Sequence, residues 1–93
     1  MIVGTLYLDL HVPEHGSLKG KRSVLKSLKD QLRQRFNVSI AEVESQDLWQ
    51  RAGIGVAAVG SDRRYVNGLL SQVVEWVRSS RLVELIDYAL ELY

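Results

Sequence analysis

The sequence predicts an α+β protein of the ferredoxin-like type, in which a four-stranded antiparallel sheet carries two helices on one face. Segments with the two-residue period of strands and segments with the helical period follow one another in the order β-α-β-β-α-β. Each β-α-β crossover is expected to be right-handed, and two such units interleave most simply as one antiparallel sheet. A length of 93 residues leaves room for one core, so a single domain over residues 1–93 is expected.

The first strand and the first helix follow from the spacing of apolar residues. Residues 2–12 alternate, and their even-numbered side chains form the face that we expect to be buried. Pro13 interrupts this pattern, and Ser17 is the expected N-cap of a helix over residues 18–36. The apolar residues of this helix recur at helical spacing and are Leu18, Leu25, Leu28, Leu32 and Phe36.

Two strands are predicted after the first helix. Residues 38–44 alternate imperfectly, which allows a β-bulge in the second strand. Residues 51–60 are rich in small side chains, so we expect the third strand to lie centrally in the sheet. A helix is expected to pack close above Gly53, Gly55 and Ala57, because small residues permit a close approach to the backbone.

A second helix and a fourth strand complete the chain. Ser61 or Asp62 is expected to cap the helix. Its apolar residues are Val66, Leu69, Leu70, Val73 and Val77. The fourth strand is predicted over residues 82–93. One side of it is expected to carry Leu82, Ile86, Tyr88, Leu90 and Leu92.

Several classes of function are excluded or disfavoured by composition and motif. The chain has no cysteine, which excludes disulfide scaffolds, thiolate zinc sites and cysteine nucleophiles. The motifs of hydrolases, zinc proteases, dinucleotide-binding enzymes and kinases are all missing, so we expect a non-enzymatic protein without a cofactor. His11 and His15 stand near Asp9 and Glu14, but nothing fixes the geometry of a metal site, and none is predicted.

The expected location is the cytoplasm. No segment reaches the roughly 18 apolar residues of a membrane helix, so no membrane association is predicted. The apolar N-terminal run lacks a basic start and contains Asp9, which indicates a strand instead of a signal peptide.

Basic residues are concentrated around the first helix. Residues 14–35 contain seven basic and two acidic side chains, whereas the rest of the chain contains five basic and nine acidic ones. Arg22, Lys26, Lys29 and Arg33 fall within about 60° of one another on the helix, and Lys19 and Lys21 add charge at its start. This pattern favours contacts with nucleic-acid phosphates, although a solvated helix flank would look the same. Residues 15–22, at the helix N-terminus, are an alternative anion site or simply a capped helix start.

The open face of the sheet and the connection around residue 49 are the other candidates for contacts. The uncovered face of the first strand offers Val3, Thr5, Tyr7, Asp9 and His11, and we expect it to support a homodimer. Trp49 and Arg51 are candidate partner contacts together with Tyr7, although Trp49 could equally cover the end of the core. Residues 51–58 lack the stacking aromatics of an RNA-recognition motif, which disfavours RNA binding by the sheet.

Three stretches of the chain resemble the YlxP-like family of small bacterial proteins of unknown function. They are residues 17–26 (Ser-Leu-Lys-x-Lys-Arg-Ser-Val-Leu-Lys), 36–42 (Phe-Asn-Val-Ser-Ile-Ala-Glu) and 46–52 (Gln-Asp-x-Trp-Gln-Arg-Ala). The resemblance implies a ferredoxin-like fold. Genes of the family often lie beside those for transcription elongation, translation initiation and ribosome maturation factors, which implies a role linked to RNA or the ribosome. Gly20 stands where the family usually has Glu, so a reciprocal capping box with Ser17 is not formed.

Two functional hypotheses follow. In the first, the protein is an accessory factor that binds structured RNA or a ribosomal particle through the basic side of the first helix, with Trp49 and Arg51 as a second contact. In the second, it is a protein–protein interaction module, a homodimer through the open sheet face or an edge strand, and its charges only keep it soluble.

Overall fold

The chain folds as a β-α-β-β-α-β unit, and the predicted ferredoxin-like α+β class is confirmed. The structure is a computed structural model that describes residues 1–13, 18–44, 48 and 50–93, except for the side chain of Leu18. Its elements are β1 (Ile2–His11), α1 (Leu18–Arg35), β2 (Ser39–Glu44), β3 (Arg51–Gly60), α2 (Arg63–Ser79) and β4 (Glu84–Leu92). The strands form one antiparallel sheet in the order β2-β3-β1-β4.

The core lies between one face of the sheet and both helices. In β1 the even-numbered side chains are buried from Gly4 onward, as the alternation predicts. Leu6 and Leu8 lie opposite Val56 and Ile54 of β3, so the two central strands pair their largest apolar residues on the same side. The same buried cluster contains apolar residues of both helices, namely Leu25, Leu28, Leu32, Val66, Leu70, Val73, Val74 and Val77. Burial of this cluster is the main term that stabilises the fold.

Each helix ends close to its predicted boundary. Arg35 is the last residue of α1, and the Phe36 N–H still donates to the Leu32 carbonyl over 2.9 Å. Asp62, one of the two expected caps, begins α2: its Oδ1 accepts a hydrogen bond from the Arg64 N–H over 3.2 Å. This bond satisfies one of the amide groups left unpaired at the start of a helix.

Gly53, Gly55 and Ala57 of β3 do not face a helix, contrary to the prediction. Strand β3 is central, but Ala52, Ile54, Val56 and Ala58 are its helix-facing side chains, so Gly53 and Gly55 point to the open side. The close helix approach occurs at Gly4 of β1, where a Cβ atom would lie 2.5 Å from Val66 Cγ1 and 2.7 Å from Leu70 Cδ1. The small-residue composition of β3 predicted this approach at Gly53 and Gly55, but the two-residue alternation of the strand turns both positions to the open side.

Strand β4 contains a bulge that its sequence did not reveal. Asp87 pairs with Asp9 and Leu85 with Leu10, so Ile86 is the extra residue. The bulge reverses the parity of the strand, and Leu85 packs against the core while Ile86 remains 47% exposed. The predicted apolar side is therefore correct for Leu90 and Leu92 but wrong for Ile86.

Candidate functional site

Five basic side chains share the outer side of α1, and we call them the basic flank: Lys19, Arg22, Lys26, Lys29 and Arg33. Lys29 is partly buried and the other four are exposed. Lys19, Arg22 and Lys29 form no ion pair with another residue that the structure describes. An accessible row of cations without internal partners is the arrangement that contacts with a phosphate backbone need.

Asp30 is the one carboxylate that interrupts the basic flank within α1. Lys26 Nζ lies 2.9 Å from Asp30 Oδ2, and Arg33 Nη1 lies 3.6 Å from Asp30 Oδ1. The hydrogen bond from Lys26 lowers the pKa of Asp30, and the charges of Lys26, Arg33 and Lys29 lower it further. Both pairs are solvent-exposed, so they are weak and a polyanion can compete for the same cations.

Lys21 does not belong to this accessible surface, and its predicted role as a phosphate contact is wrong. Its side chain is 2% exposed, and its Nζ lies 3.1 Å from Glu42 Oε2 of β2. The same ammonium donates a hydrogen bond to the carbonyl of Leu48. Lys21 therefore ties α1 to β2 and to the connection that follows β2. The sequence held a signal for this, because Lys21 lies four residues before Leu25 and so has the phase of the buried face.

The open side of the sheet is centred on Tyr7. Tyr7 and its neighbours Val3 and Thr5 are half-buried instead of fully exposed. The Tyr7 hydroxyl donates a hydrogen bond to Glu44 Oε2 over 3.0 Å, which joins β1 to β2 across β3. Burial raises the pKa of Tyr7, and the bond to Glu44 and the charges of Glu44 and Asp9 raise it further. The phenol therefore stays protonated and keeps its bond to Glu44 at neutral pH.

Gly53 makes room for the bond between Tyr7 and Glu44. Gly53 lies between these two residues, and a Cβ atom there would lie 2.4 Å from Tyr7 Oη and 2.8 Å from Glu44 Cβ. Any side chain at this position would displace one of the two partners. The open face therefore explains the glycine at position 53.

A bulge in β2 adds an apolar side chain to the same face. Glu42 pairs with Ile54 and Glu44 with Gly53, so Val43 is the extra residue. Val43 is 51% exposed, and its Cγ1 would lie 3.1 Å from a Cβ atom at Gly55. The bulge that the sequence allowed is confirmed, and it places both Val43 and Glu44 on the open side.

Tyr7, Val43 and Gly55 line a shallow cavity on the open face, which we call the apolar trough. Its volume is about 340 Å³. Glu91 lines one end of it. The small or apolar residues that line it together with Tyr7 include Thr5, Ala41, Val43, Gly55, Ala57 and Ala89. All four strands contribute to the lining, so the trough crosses the whole width of the sheet.

Five carboxylates lie on the same open side of the strands as the apolar trough, one lining it and four beyond its Tyr7 end, and we call them the acidic rim. They are Asp9, Glu44, Glu84, Asp87 and Glu91. Arg51 is on the same face, and its Nη2 donates to both carboxylate oxygens of Asp9 over 3.0 Å. His11 Nδ1 lies 3.8 Å from Glu84 Oε2, and the Tyr93 hydroxyl donates to Glu91 over 2.6 Å. The open face therefore carries an excess of negative charge.

The match to a known protein family covers most of the chain. Residues 3–90 match the family described as "Protein of unknown function (DUF503)". The chain is also 37% identical over 83 residues to the uncharacterized protein YlxP of Bacillus subtilis (strain 168), with 89% of this chain and 90% of that protein aligned. The chain belongs to the DUF503 family. The resemblance found in its sequence motifs is thereby confirmed.

Among solved structures, the DUF503 chain is similar to the de novo designed protein Ferredog-Diesel. The sequence identity is 15%, the TM-score is 0.46, and the alignment covers 98% of this chain and 83% of the designed one. Neither this similarity nor the family assigns an activity, so the functional argument depends on the basic flank and the open face.

The remaining predicted contacts of the DUF503 chain are only partly described. Arg51 and Tyr7 share the open face, but Trp49 lies outside the described residues, so its partner contact stays a prediction. The same holds for the anion site at residues 15–22, of which residues 15–17 lie outside the described residues and residues 19–22 are described on α1. In the described ranges no three histidine or carboxylate side chains come together as metal ligands, and no helix is long and apolar enough to span a membrane.

Proposed function

We propose that the protein is a non-enzymatic accessory factor that binds structured RNA, free or in a ribosomal particle, through the basic flank of α1. The observation that supports this most is the accessible row of Lys19, Arg22 and Lys29, together with Lys26 and Arg33, on one side of a single helix. A cytoplasmic location is part of the same proposal, because ribosomal RNA is found in the cytoplasm.

The geometry of the basic flank suits backbone contacts and not base readout. The cations project from a convex helix surface. Of the described aromatic residues beside the end of α1, Phe36 packs against the core, and Trp76 lies under Arg35 with the guanidinium 5.6 Å from the ring centroid. Arg33 is fixed by a hydrogen bond to the Ile40 carbonyl over 3.1 Å, which holds that end of the flank against β2. Binding is therefore expected to depend on charge and to tolerate changes of RNA sequence.

The test is a titration of a fluorescent ribosomal RNA fragment with the protein at three salt concentrations. About four phosphate contacts predict a slope of log K against log salt of about −3. The double variant Lys26→Gln, Lys29→Gln keeps good helix formers on the exposed side, so it should fold. Its slope should shrink by about 1.5–2, and its affinity should fall equally for all RNA sequences.

The matched control is the double variant Arg63→Gln, Arg64→Gln. It removes the same charge from exposed positions in the first turn of α2, outside the basic flank. The control should bind with nearly the wild-type slope. Equal slopes for all three proteins would contradict the proposal and leave the basic flank as solvated surface.

A further inference from the structure

Three local departures from a regular sheet lie in or beside the apolar trough. Gly53 lets Tyr7 and Glu44 meet over β3, Gly55 leaves space beside Val43, and the bulge of β2 turns Val43 to the open side. None of these features is needed for the core, which lies on the other face of the sheet. Bulges and strand glycines often occur where a surface is shaped for a ligand or for another backbone.

Negative charge lies beyond one end of the trough and at its opposite corner. Glu44 and Glu91 stand near diagonally opposite ends of it, on the two edge strands β2 and β4. Arg51, which is 47% exposed, is held by both oxygens of Asp9, so it does not neutralise Glu44 or Glu91. An apolar surface with uncompensated carboxylates beside it favours an occupant that is both apolar and cationic.

The trough is wider than a single extended peptide. Its lining reaches from Ala41 on β2 to Ala89 on β4, which spans three inter-strand spacings or about 14 Å. An added extended strand fills about 5 Å of this width, whereas an α-helix with its side chains fills about 10–12 Å. A helix laid on the open face would also complete the usual layering of a sheet between helices.

We propose that the open sheet face docks a basic amphipathic helix of a partner protein. The apolar side of that helix packs on Ala41, Ala57 and Ala89, and its lysine or arginine side chains pair with Glu44 and Glu91. The acidic rim opposes the two other candidate occupants. A second copy placed face to face would bring two acidic rims together, and an RNA would bring its phosphates to the same carboxylates.

The test uses two synthetic helical peptides with one leucine pattern and opposite charges, one of leucine and lysine and one of leucine and glutamate. Each is titrated into ¹⁵N-labelled protein, and the amide shifts are mapped. The leucine–lysine peptide should shift the amides of Tyr7, Ala41, Ala57 and Ala89. Its dissociation constant should rise about fivefold or more in the double variant Glu44→Gln, Glu91→Gln, because two charge-assisted contacts are lost.

The matched control is Glu75→Gln, which removes an exposed carboxylate of α2 that lies 3.7 Å from Arg78. Its dissociation constant should change less than twofold. A second variant, Ala89→Lys, places an ammonium group in the trough and should abolish binding while the amide spectrum still reports a folded protein.

Four outcomes would overturn the proposal. They are equal binding of the leucine–glutamate peptide, shifts that map away from the open face, equal weakening in the Glu75→Gln control, and shifts of the open-face amides with protein concentration alone. The last outcome would identify a second copy of the chain as the occupant. The test is independent of RNA binding, because the basic flank takes no part in it.

Discussion

The basic flank of α1 and the open sheet face carry opposite charges and are formed in different ways. The flank arises from regular helical spacing, and its cations are held by few neighbours. The open face depends on irregular features, namely the β2 bulge, Gly53 and the bond from Tyr7 to Glu44. A substitution on the flank should therefore change binding with little effect on folding, whereas a substitution beneath the open face should change both.

The largest expected effect is at Lys21, because this residue belongs to α1 but does not lie on the accessible side of the helix. Lys21→Met should lower the free energy of unfolding by about 3 kcal/mol, since it leaves Glu42 without its buried partner. The salt dependence of RNA binding should remain that of the wild-type protein. Urea denaturation and the RNA titration measure the two effects.

A second variant at the same site separates pairing from packing. In Lys21→Met with Glu42→Leu, both charges are replaced by apolar groups, and most of the lost stability should return. If the single variant Lys21→Met were as stable as wild type and bound RNA with a smaller salt slope, Lys21 would belong to the phosphate-binding surface after all.

Gly53 and Gly55 are consecutive positions on the open side of β3, so the same substitution at each can be compared directly. Gly53→Ala should cost about 1–3 kcal/mol, because its Cβ would overlap both Tyr7 Oη and Glu44 Cβ. Gly55→Ala should cost less, because its nearest neighbour, Val43 Cγ1, lies at 3.1 Å and belongs to an exposed side chain. Thermal denaturation of the two variants gives the comparison, and a larger loss at Gly55 would contradict the assigned geometry.

Asp30 should act as an internal competitor of RNA for the basic flank. Asp30→Asn releases Lys26 and Arg33, so affinity for the ribosomal RNA fragment should rise about two- to threefold at low salt. In the wild-type protein, RNA binding should raise the pKa of Asp30 from its lowered value, because phosphates take the cations that lower it. Carboxyl NMR titration with and without RNA measures this shift, and an unchanged pKa would place the RNA elsewhere.

Tyr7 gives the smallest effect, a loss of stability at alkaline pH. Its pKa is raised in the folded protein, chiefly by burial and then by Glu44, so folding favours the neutral phenol. The resulting stability is fully present below pH about 10, the unfolded value, and is lost as the pH rises through the folded value. Urea denaturation between about pH 9 and 12 should show a shallower decline for Tyr7→Phe than for wild type. Identical declines would mean that Tyr7 titrates as in the unfolded chain.

The sequence predicted the fold well because its strands and helices have clear periodicities. Alternation in β1 and helical spacing in α1 and α2 gave the element order and nearly all of the core. The bulge at Ile86 was missed, because an extra strand residue changes parity without any characteristic residue type. The sequence also did not predict which side of the sheet Gly53 faces, because glycine has no side chain whose polarity would indicate the face.

The candidate sites were predicted less completely, for a physical reason. Charge and spacing identify the side of α1 on which Lys26 and Lys29 lie. The same reasoning assigns Lys21 to this surface because it is also basic, although its position along the helix belongs to the buried side, where lysine is unusual. The bond from Tyr7 to Glu44 joins residues 37 positions apart, and no local pattern indicates such a contact.

The most direct test of the two-surface account is an amide shift map of the ¹⁵N-labelled protein with the ribosomal RNA fragment. The account predicts shifts along α1 at Lys19, Arg22, Lys26, Lys29 and Arg33. The amides of Tyr7, Ala41, Ala57 and Ala89 should stay in place, because the acidic rim repels phosphate. Shifts at the open face with an unperturbed α1 would contradict the account.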